Sequence, residues 1–228
     1  MSKKIMFSDK YGLTQAVLEG RKTMTRRICK YSRPDETYDI VFPVFGPNDF
    51  DNDGNNISPL NYAFGWMDNK ANFIGWNIPQ YKVDEVIAIA QSYKDAGYSS
   101  DKVFYRSFPS LDMYGKELAS EQKGWTNKML VAASLMPHHI RITDVKLERL
   151  QDISDEGCIK EGIYPYYYGN KKEKIECGFF PDGFSFDGID CHYPTPREAY
   201  ASLIDKVSGK GVWDKNPFVF VYEFELID

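Results

Sequence analysis

Paired cysteines, long apolar runs and an excess of positive charge are all missing from this sequence, and each absence removes a class of protein. The four cysteines (Cys29, Cys158, Cys177 and Cys191) are scattered with no CxxC spacing, so no disulfide framework is expected and a reducing compartment is the default. Cys191-His192, with Cys177 fourteen residues earlier, is the nearest approach to a metal site. It falls short of the four ligands such a site needs, and neither metal nor cofactor is expected. No stretch approaches the roughly 18 apolar residues of a membrane span, and MSKKIMFSD lacks the apolar run of a signal peptide. A cytoplasmic protein without membrane attachment is the expectation. The formal charge of −5 argues against bulk binding to DNA or to any nucleic acid.

What is present is a globular balance with many aromatics: 43% hydrophobic and 27% charged residues, with 16 Tyr, 15 Phe and 4 Trp in a chain of 228. Such a chain buries a core of its own, and disorder throughout is excluded. The average charge hides an asymmetry. Residues 1 to 33 carry nine Lys or Arg against Asp9 and Glu19, a net of +7, which leaves −12 on the other 195 residues. A small basic patch on an acidic body suits local capture of one anionic or polar ligand better than tracking along a nucleic-acid backbone.

Four segments carry firm local signals. Lys3 to Phe7 reads as a short strand, then Ser8 or Asp9 caps a helix with Leu13, Ala16 and Val17 on one face, and Gly20 stands where a left-handed stop is expected. Tyr81 to Ala90 reads as a largely buried strand through Val83, Val86, Ile87 and Ile89. Between Met129 and Gly162, Ile140, Ile142, Val145 and Leu147 fit a long strand, and Ser154 followed by Asp155 and Glu156 starts a short helix that Gly162 closes. The best-signalled helix begins at Thr195-Pro196-Arg197-Glu198, an N-cap, a first-turn Pro and a capping-box Glu. It carries Ala199, Tyr200, Leu203, Ile204 and Val207 on one face and ends at Gly209. Phe218 to Leu226 closes the pattern as an aromatic and β-branched strand, with Glu223 and Glu225 exposing one side of its far half.

These segments make one domain over residues 1–228, of α+β class, expanded by insertions at about 31–80, 91–127 and 163–194. The first insertion holds GPNDFDNDGNN and the last YPYYYGN and GFFPDGFSFDG, turn-rich stretches that are expected to carry hairpins or short helices or to cover a site. Their aromatics (Trp66, Trp76, Tyr166, Tyr167, Tyr168) either stack on bases or pack the insertions onto the body.

The chemistry concentrates in GRKTMTRR, Gly20 to Arg27. If the segment after Thr23 is extended, Thr23 and Thr25 face one way and Met24 and Arg26 the other. A solvated basic turn is the bland alternative, but two hydroxyls interleaved with four cations can hold a polar ligand and activate a nucleophile. Glu161, the last acid before Gly162, sits at the negative end of a helix dipole, where local stability does not ask for a carboxylate. It is either an exposed side chain at a frayed helix end or a partly buried group that a lysine partner keeps charged. One of His138 and His139 faces inward from the long strand, either as a cleft residue or as a hydrogen-bonded structural histidine.

The blocks FSDKYGLTQAVLEGRKTMTRR, YKVDEVIAIA, MPHHIRITDVKLERLQDISDEGCIKEGI and GVWDKNPFVFVYEFELI resemble, in order, those of ASCH-domain proteins of the PUA-like superfamily, in the version common in bacteriophages and prophages of gut bacteria. The resemblance implies a small mixed β-barrel of PUA type with helices at its rim and a cleft facing RNA or a modified nucleoside. Some small members are amidohydrolases that remove the acetyl group of N(4)-acetylcytidine with a Lys, a Thr and a Glu, which fall here on Lys22, Thr25 and Glu161. Arg21, Thr23, Arg26, Arg27, Gln91 and His138 are the expected ligand-binding residues, with Arg26 or the backbone N–H groups of Gly20 to Thr23 at the oxyanion.

The sequence departs from the phage-type pattern around the second strand. Gly-Asp is replaced by Asp84-Glu85, and an Arg-Glu-Thr-aromatic run by Ala90-Gln91-Ser92-Tyr93. Three readings follow: an RNA- or nucleoside-binding module, an amidohydrolase of acylated pyrimidine nucleosides, and a phage protein-interaction module without catalysis.

Overall fold

The computed structural model describes residues 3–41, 63–98, 123–169, 171–176, 180–187 and 193–228. GPNDFDNDGNN, most of the 91–127 insertion, Cys177, Cys191 and His192 lie outside these residues, as does the side chain of Trp76.

The main sheet has five strands in the order β1-β6-β7-β10-β2, namely β1 (Lys4–Ile5), β6 (Val86–Ile89), β7 (His139–Arg149), β10 (Phe218–Leu226) and β2 (Met24–Ile28). β1 runs parallel to β6 and every other pair is antiparallel. A second sheet, β3 (Tyr38–Val41), β4 (Phe64–Asp68) and β5 (Phe73–Asn77), is built from the first insertion. A two-stranded ribbon, β8 (Tyr164–Tyr166) and β9 (Gly183–Ser185), is built from the last.

β10 takes an interior place between β7 and β2, where its residues Val219 to Tyr222 are buried on both faces, which suits a run of aromatic and β-branched side chains. The phase change along β7, from Ile140 and Ile142 to Val145, has a local cause. Phe224 pairs with Ile142 and Glu223 with Asp144, so a bulge at Thr143 takes up one residue and turns Val145 back toward the core. Aromatic contacts seat the second sheet on β10, with Phe64 5.6 Å from Phe218 and Trp66 5.7 Å from the same ring.

Helix α1 (Leu13–Leu18) follows one turn of 3-10 helix at Asp9–Tyr11; Ser8 stands at the N-cap position of that turn without a side-chain cap bond, and Gly12 breaks it at φ 65°. Gly20 stops the segment at φ 71°. Helix α2 (Asp155–Lys160) is capped by Ser154, which accepts from Gly157 N–H at 3.0 Å. α3 (Lys171–Glu176) is short, α4 (Pro196–Ser208) is the longest helix described, and α5 (Val212–Lys215) packs behind it. At α4, Thr195 accepts from Glu198 N–H at 3.2 Å, while no reciprocal bond from the Glu198 side chain forms among the described residues, so half of the expected capping box is present.

Three expectations are corrected. The strand expected over Tyr81 to Ala90 is confined to Val86–Ile89, because Asp84 turns the chain at φ 63° and leaves Val83 47% and Val86 45% exposed. Val207 of α4 is 45% exposed rather than in the core. The class is mixed α+β, mostly sheet, but the described strands form no closed barrel. Closure would need β1 to pair with β2, and β1 has only two residues. Instead the chain after β1 meets β2 through a side chain, as the Arg27 guanidinium donates to the Met6 carbonyl at 2.6 Å. Among the described residues no helix is long and apolar enough to cross a membrane.

Candidate functional site

The unclosed seam between β1 and β2 holds a cavity of about 350 Å³. β2 contributes Thr25, Arg26 and Arg27, the turn before it Lys22, the chain after β1 Phe7, and α4 closes it with Tyr200, Leu203 and Ile204. The end of α2 enters it through Glu161. Backbone bonds fix this junction: Lys22 N–H donates to Ala16 O and Thr23 N–H to Lys160 O, each at 2.9 Å. Gly162 is required where the chain leaves α2, since its φ is +102° and it packs on the Lys22 stem.

Lys22 and Glu161 are buried together, 2% and 4% exposed. Lys22 Nζ donates to Glu161 Oε2 at 2.5 Å, to Glu161 O at 2.8 Å and to Met24 O at 2.7 Å. Three acceptors match the three donors of an ammonium group. Burial lowers the proton affinity of Lys22 below that of an ordinary lysine, with the Glu161 carboxylate opposing it. The other oxygen of Glu161 accepts from Arg26 at 3.2 Å, and Arg26 forks onto Glu148 Oε1 with its Nε at 2.9 Å and its second terminal nitrogen at 2.8 Å. Burial works against the Arg26 charge, but Glu161, Tyr200 and Glu148 together hold its pKa above the usual value. The frayed-end alternative for Glu161 is therefore replaced by a buried carboxylate between two cations.

Thr25 is 5% exposed and lines the same cavity, opposite Tyr222 in the ladder. Its hydroxyl takes no hydrogen bond among the described residues, from Lys22 or any other group. Arg27 lines the cavity with its guanidinium 5.7 Å from the Phe7 ring, and its Nε is buried without a partner. Arg21 and Thr23 stand outside the lining. Arg21 pairs with exposed Glu19 at 2.6 Å and lies over Tyr164, and Thr23 spends its backbone on Lys160 and Phe224. Gln91 is buried on the other side of β1, its N–H against Met136 Sδ at 3.2 Å, and His138 lies beside the Asp228 carbonyl at 3.1 Å. Neither reaches the cavity. His139 pairs with the Asp228 carboxylate at 2.8 Å.

Two residues of the site were not singled out by the sequence. Glu148 anchors Arg26 from β7, across the intervening strand β10. Tyr200 is 1% exposed and lines the cavity, yet its hydroxyl has no partner. Burial and the neighbouring Glu161 carboxylate push its pKa well up, so it is present as the neutral phenol. A buried hydroxyl without a partner costs about 1–3 kcal/mol. Tyr200→Phe keeps the ring over Arg26, at 6.0 Å, and is expected to raise stability in urea by about 1–2 kcal/mol. A loss of stability in that titration would mean that the hydroxyl is bonded in the free protein.

Among the described residues no thiol competes for the chemistry, because burial pushes both Cys29 and Cys158 up to about 12. Among the described residues no group of three His, Cys, Asp or Glu is placed to hold a metal ion. Compared with family models, curated proteins and solved structures, the chain finds no match in any of the three.

Proposed function

We propose that this chain is a nucleoside-binding protein of the ASCH, PUA-like kind, with the ligand seated in the Lys22–Thr25–Glu161 cavity. One observation carries the reading. Arg27 and Tyr200, which carry two of the three buried polar side-chain atoms without a partner among the described residues, both line this one cavity, and Thr25 adds a hydroxyl with no partner among them. Buried polar groups are nearly always paired, so two unmatched ones on residues that surround an open space, beside an unbonded hydroxyl, support a polar ligand there. The Phe7 ring beside them offers a face for a base. The volume of about 350 Å³ suits a nucleoside.

Amidohydrolysis of an N-acylated pyrimidine nucleoside is the second reading, favoured by the unbonded Thr25 hydroxyl beside a buried Lys–Glu pair. Burial lowers the Lys22 pKa, so as pH rises Lys22 Nζ gives up its proton to solvent and becomes an amine able to accept the Thr25 proton. Thr25 Oγ1 attacks the amide carbonyl, Lys22 returns the proton to the departing exocyclic amine, and an acetyl-threonine ester remains. Water then hydrolyses the ester, releasing acetate and restoring the hydroxyl. Arg27 and the Tyr200 phenol supply donors for the oxyanion.

The experiment is incubation of the full chain with N(4)-acetylcytidine, following cytidine and acetate by mass spectrometry from pH 6 to pH 10.5. The neutral amine is the reacting form, and burial lowers the Lys22 pKa. The rate is therefore expected to rise with pH and level off below 10.5, the ordinary lysine value. Binding without turnover leaves the module reading, whereas release that persists in Lys22→Ala would overturn the hydrolytic one.

A further inference from the structure

A second cavity, of about 330 Å³, opens at the far end of β2 and shares only Ile28 with the first. Its charged lining is wholly basic: Lys30, Arg33, Arg149 and Lys215. Arg33 alone of the four pairs its side chain with a carboxylate among the described residues, Asp39 at 3.5 Å. Arg149 spends one nitrogen on the Asn216 carbonyl at 3.2 Å, and Lys30 and Lys215 form no ion pair among the described residues. Three cations that line one cavity without a carboxylate partner there repel one another. An anion offsets that repulsion.

Three of the remaining lining residues, Tyr31, Trp66 and Phe218, are aromatic. The Arg149 guanidinium lies 3.9 Å above the Phe218 ring centre, and Lys30 Nζ lies 4.9 Å from that of Tyr31. Trp66, 2% exposed, donates its indole N–H to Tyr31 O at 3.1 Å. Tyr31 is clamped by buried Asn77, which accepts from its N–H at 2.9 Å and donates to its carbonyl at 3.0 Å. Gly75, at φ +68°, leaves room for the Tyr31 side chain, which a Cβ there would meet at 2.6 Å. An aromatic platform fixed at this cost in backbone freedom, beside a cluster of unpaired cations, matches a ligand with both a planar ring and a phosphate.

We infer that this cavity binds a 5′-mononucleotide, the base against Phe218 and Tyr31 and the phosphate among Lys30, Arg149 and Lys215. Its volume is at the lower end for small-molecule sites, which fits one nucleotide rather than a strand. The site does not depend on what the first cavity does.

Calorimetric titration of the full chain with 5′-AMP, adenosine and inorganic phosphate tests it. AMP is expected to bind, with adenosine and phosphate each at least tenfold weaker, and with affinity falling between 50 and 300 mM NaCl by about tenfold, as for one or two ion pairs to phosphate. The double variant Lys30→Glu/Lys215→Glu changes two exposed side chains and is expected to weaken AMP at least tenfold while its thermal melt stays unchanged. Gly75→Ala, which displaces Tyr31, is expected to weaken AMP and adenosine alike. Absence of AMP binding at millimolar concentration, binding indifferent to the double charge reversal, or binding lost instead in Thr25→Val would each overturn the inference. So would a single-stranded oligonucleotide binding a hundredfold more tightly than AMP.

Discussion

Glu161→Gln is expected to destabilise the protein by about 3–5 kcal/mol, because it removes the one carboxylate shared by two buried cations. Among the described residues Lys22 has no other carboxylate within reach, whereas Arg26 keeps Glu148. The loss therefore falls mainly on Lys22. Lys22→Met in the same background is expected to recover at least half of it, since an apolar side chain of similar length then fills a buried slot beside Phe7 and Leu13. Lys22→Met alone leaves Glu161 bound to Arg26 and should cost less than Glu161→Gln. The sign with pH is also fixed. A lysine whose folded pKa lies below its unfolded value binds fewer protons when folded, so stability rises with pH between the lowered pKa and 10.5. Without Glu161 that window extends downward, and part of the deficit of Glu161→Gln is expected to disappear as pH is raised toward 10.5. Urea titrations of the three variants at pH 7 and pH 10 measure all of this. Equal costs for Lys22→Met and Glu161→Gln would mean that Arg26 does not share the carboxylate.

Thr25→Val is expected to abolish acetate release from acetylcytidine, by at least about a thousandfold in kcat/KM, the scale on which loss of a nucleophile is usually felt. The substitution preserves shape and removes a hydroxyl that bonds to no described residue. Its effect on stability is therefore expected to stay within about 0.5 kcal/mol, as for positions with no polar partner to orphan. That separation of activity from stability is the useful part of the test. Thr25→Ser keeps an attacking oxygen and should retain measurable turnover. Turnover undiminished in Thr25→Val would make water the attacking group and reduce Thr25 to a wall of the cavity.

The sequence carried the local parts of this site and lost the parts that depend on distant partners. GRKTMTRR announced itself because a helix stop, cations and hydroxyls share one register, and Glu161 because a carboxylate at a helix C-terminus works against the dipole. Their mutual contact joins positions 22 and 161 through a turn that backbone bonds define. Tyr200 could not be found this way. Its spacing with Ala199, Leu203 and Ile204 is that of any core-facing helix residue, and only the absence of a tertiary partner sets its hydroxyl apart. Glu148 was equally silent, since its reach to Arg26 crosses a strand that comes much later in the chain. Gln91 and His138 mark the reverse case. Alternation along a strand gives a side, but β1 stands between β6 and the cavity, and Ala90 N–H is bonded to Ile5 O at 2.8 Å. The long strand was legible apart from its bulge, and the hairpin of β4 and β5 only as the general expectation that the first insertion carries hairpins or short helices, because turn residues mark where a chain reverses and not what it then pairs with.

The position of β2 at the sheet edge, paired only with β10, sets an order of events in folding. Residues 22 to 28 leave the ribosome early, but their sole ladder partner, Phe218 to Leu226, is among the last parts of the described chain to be made. Until β10 slots in beside β7, the strand that carries Thr25, Arg26 and Arg27 to the cavity has no neighbour among the described residues. Such long-range pairing is slow to form. Chains interrupted before Phe218 would leave β2 unpaired and β7 paired with β6 only at His139 to Arg141, so ligand binding would report on completion of the whole sheet rather than on the early-made residues that line the cavity.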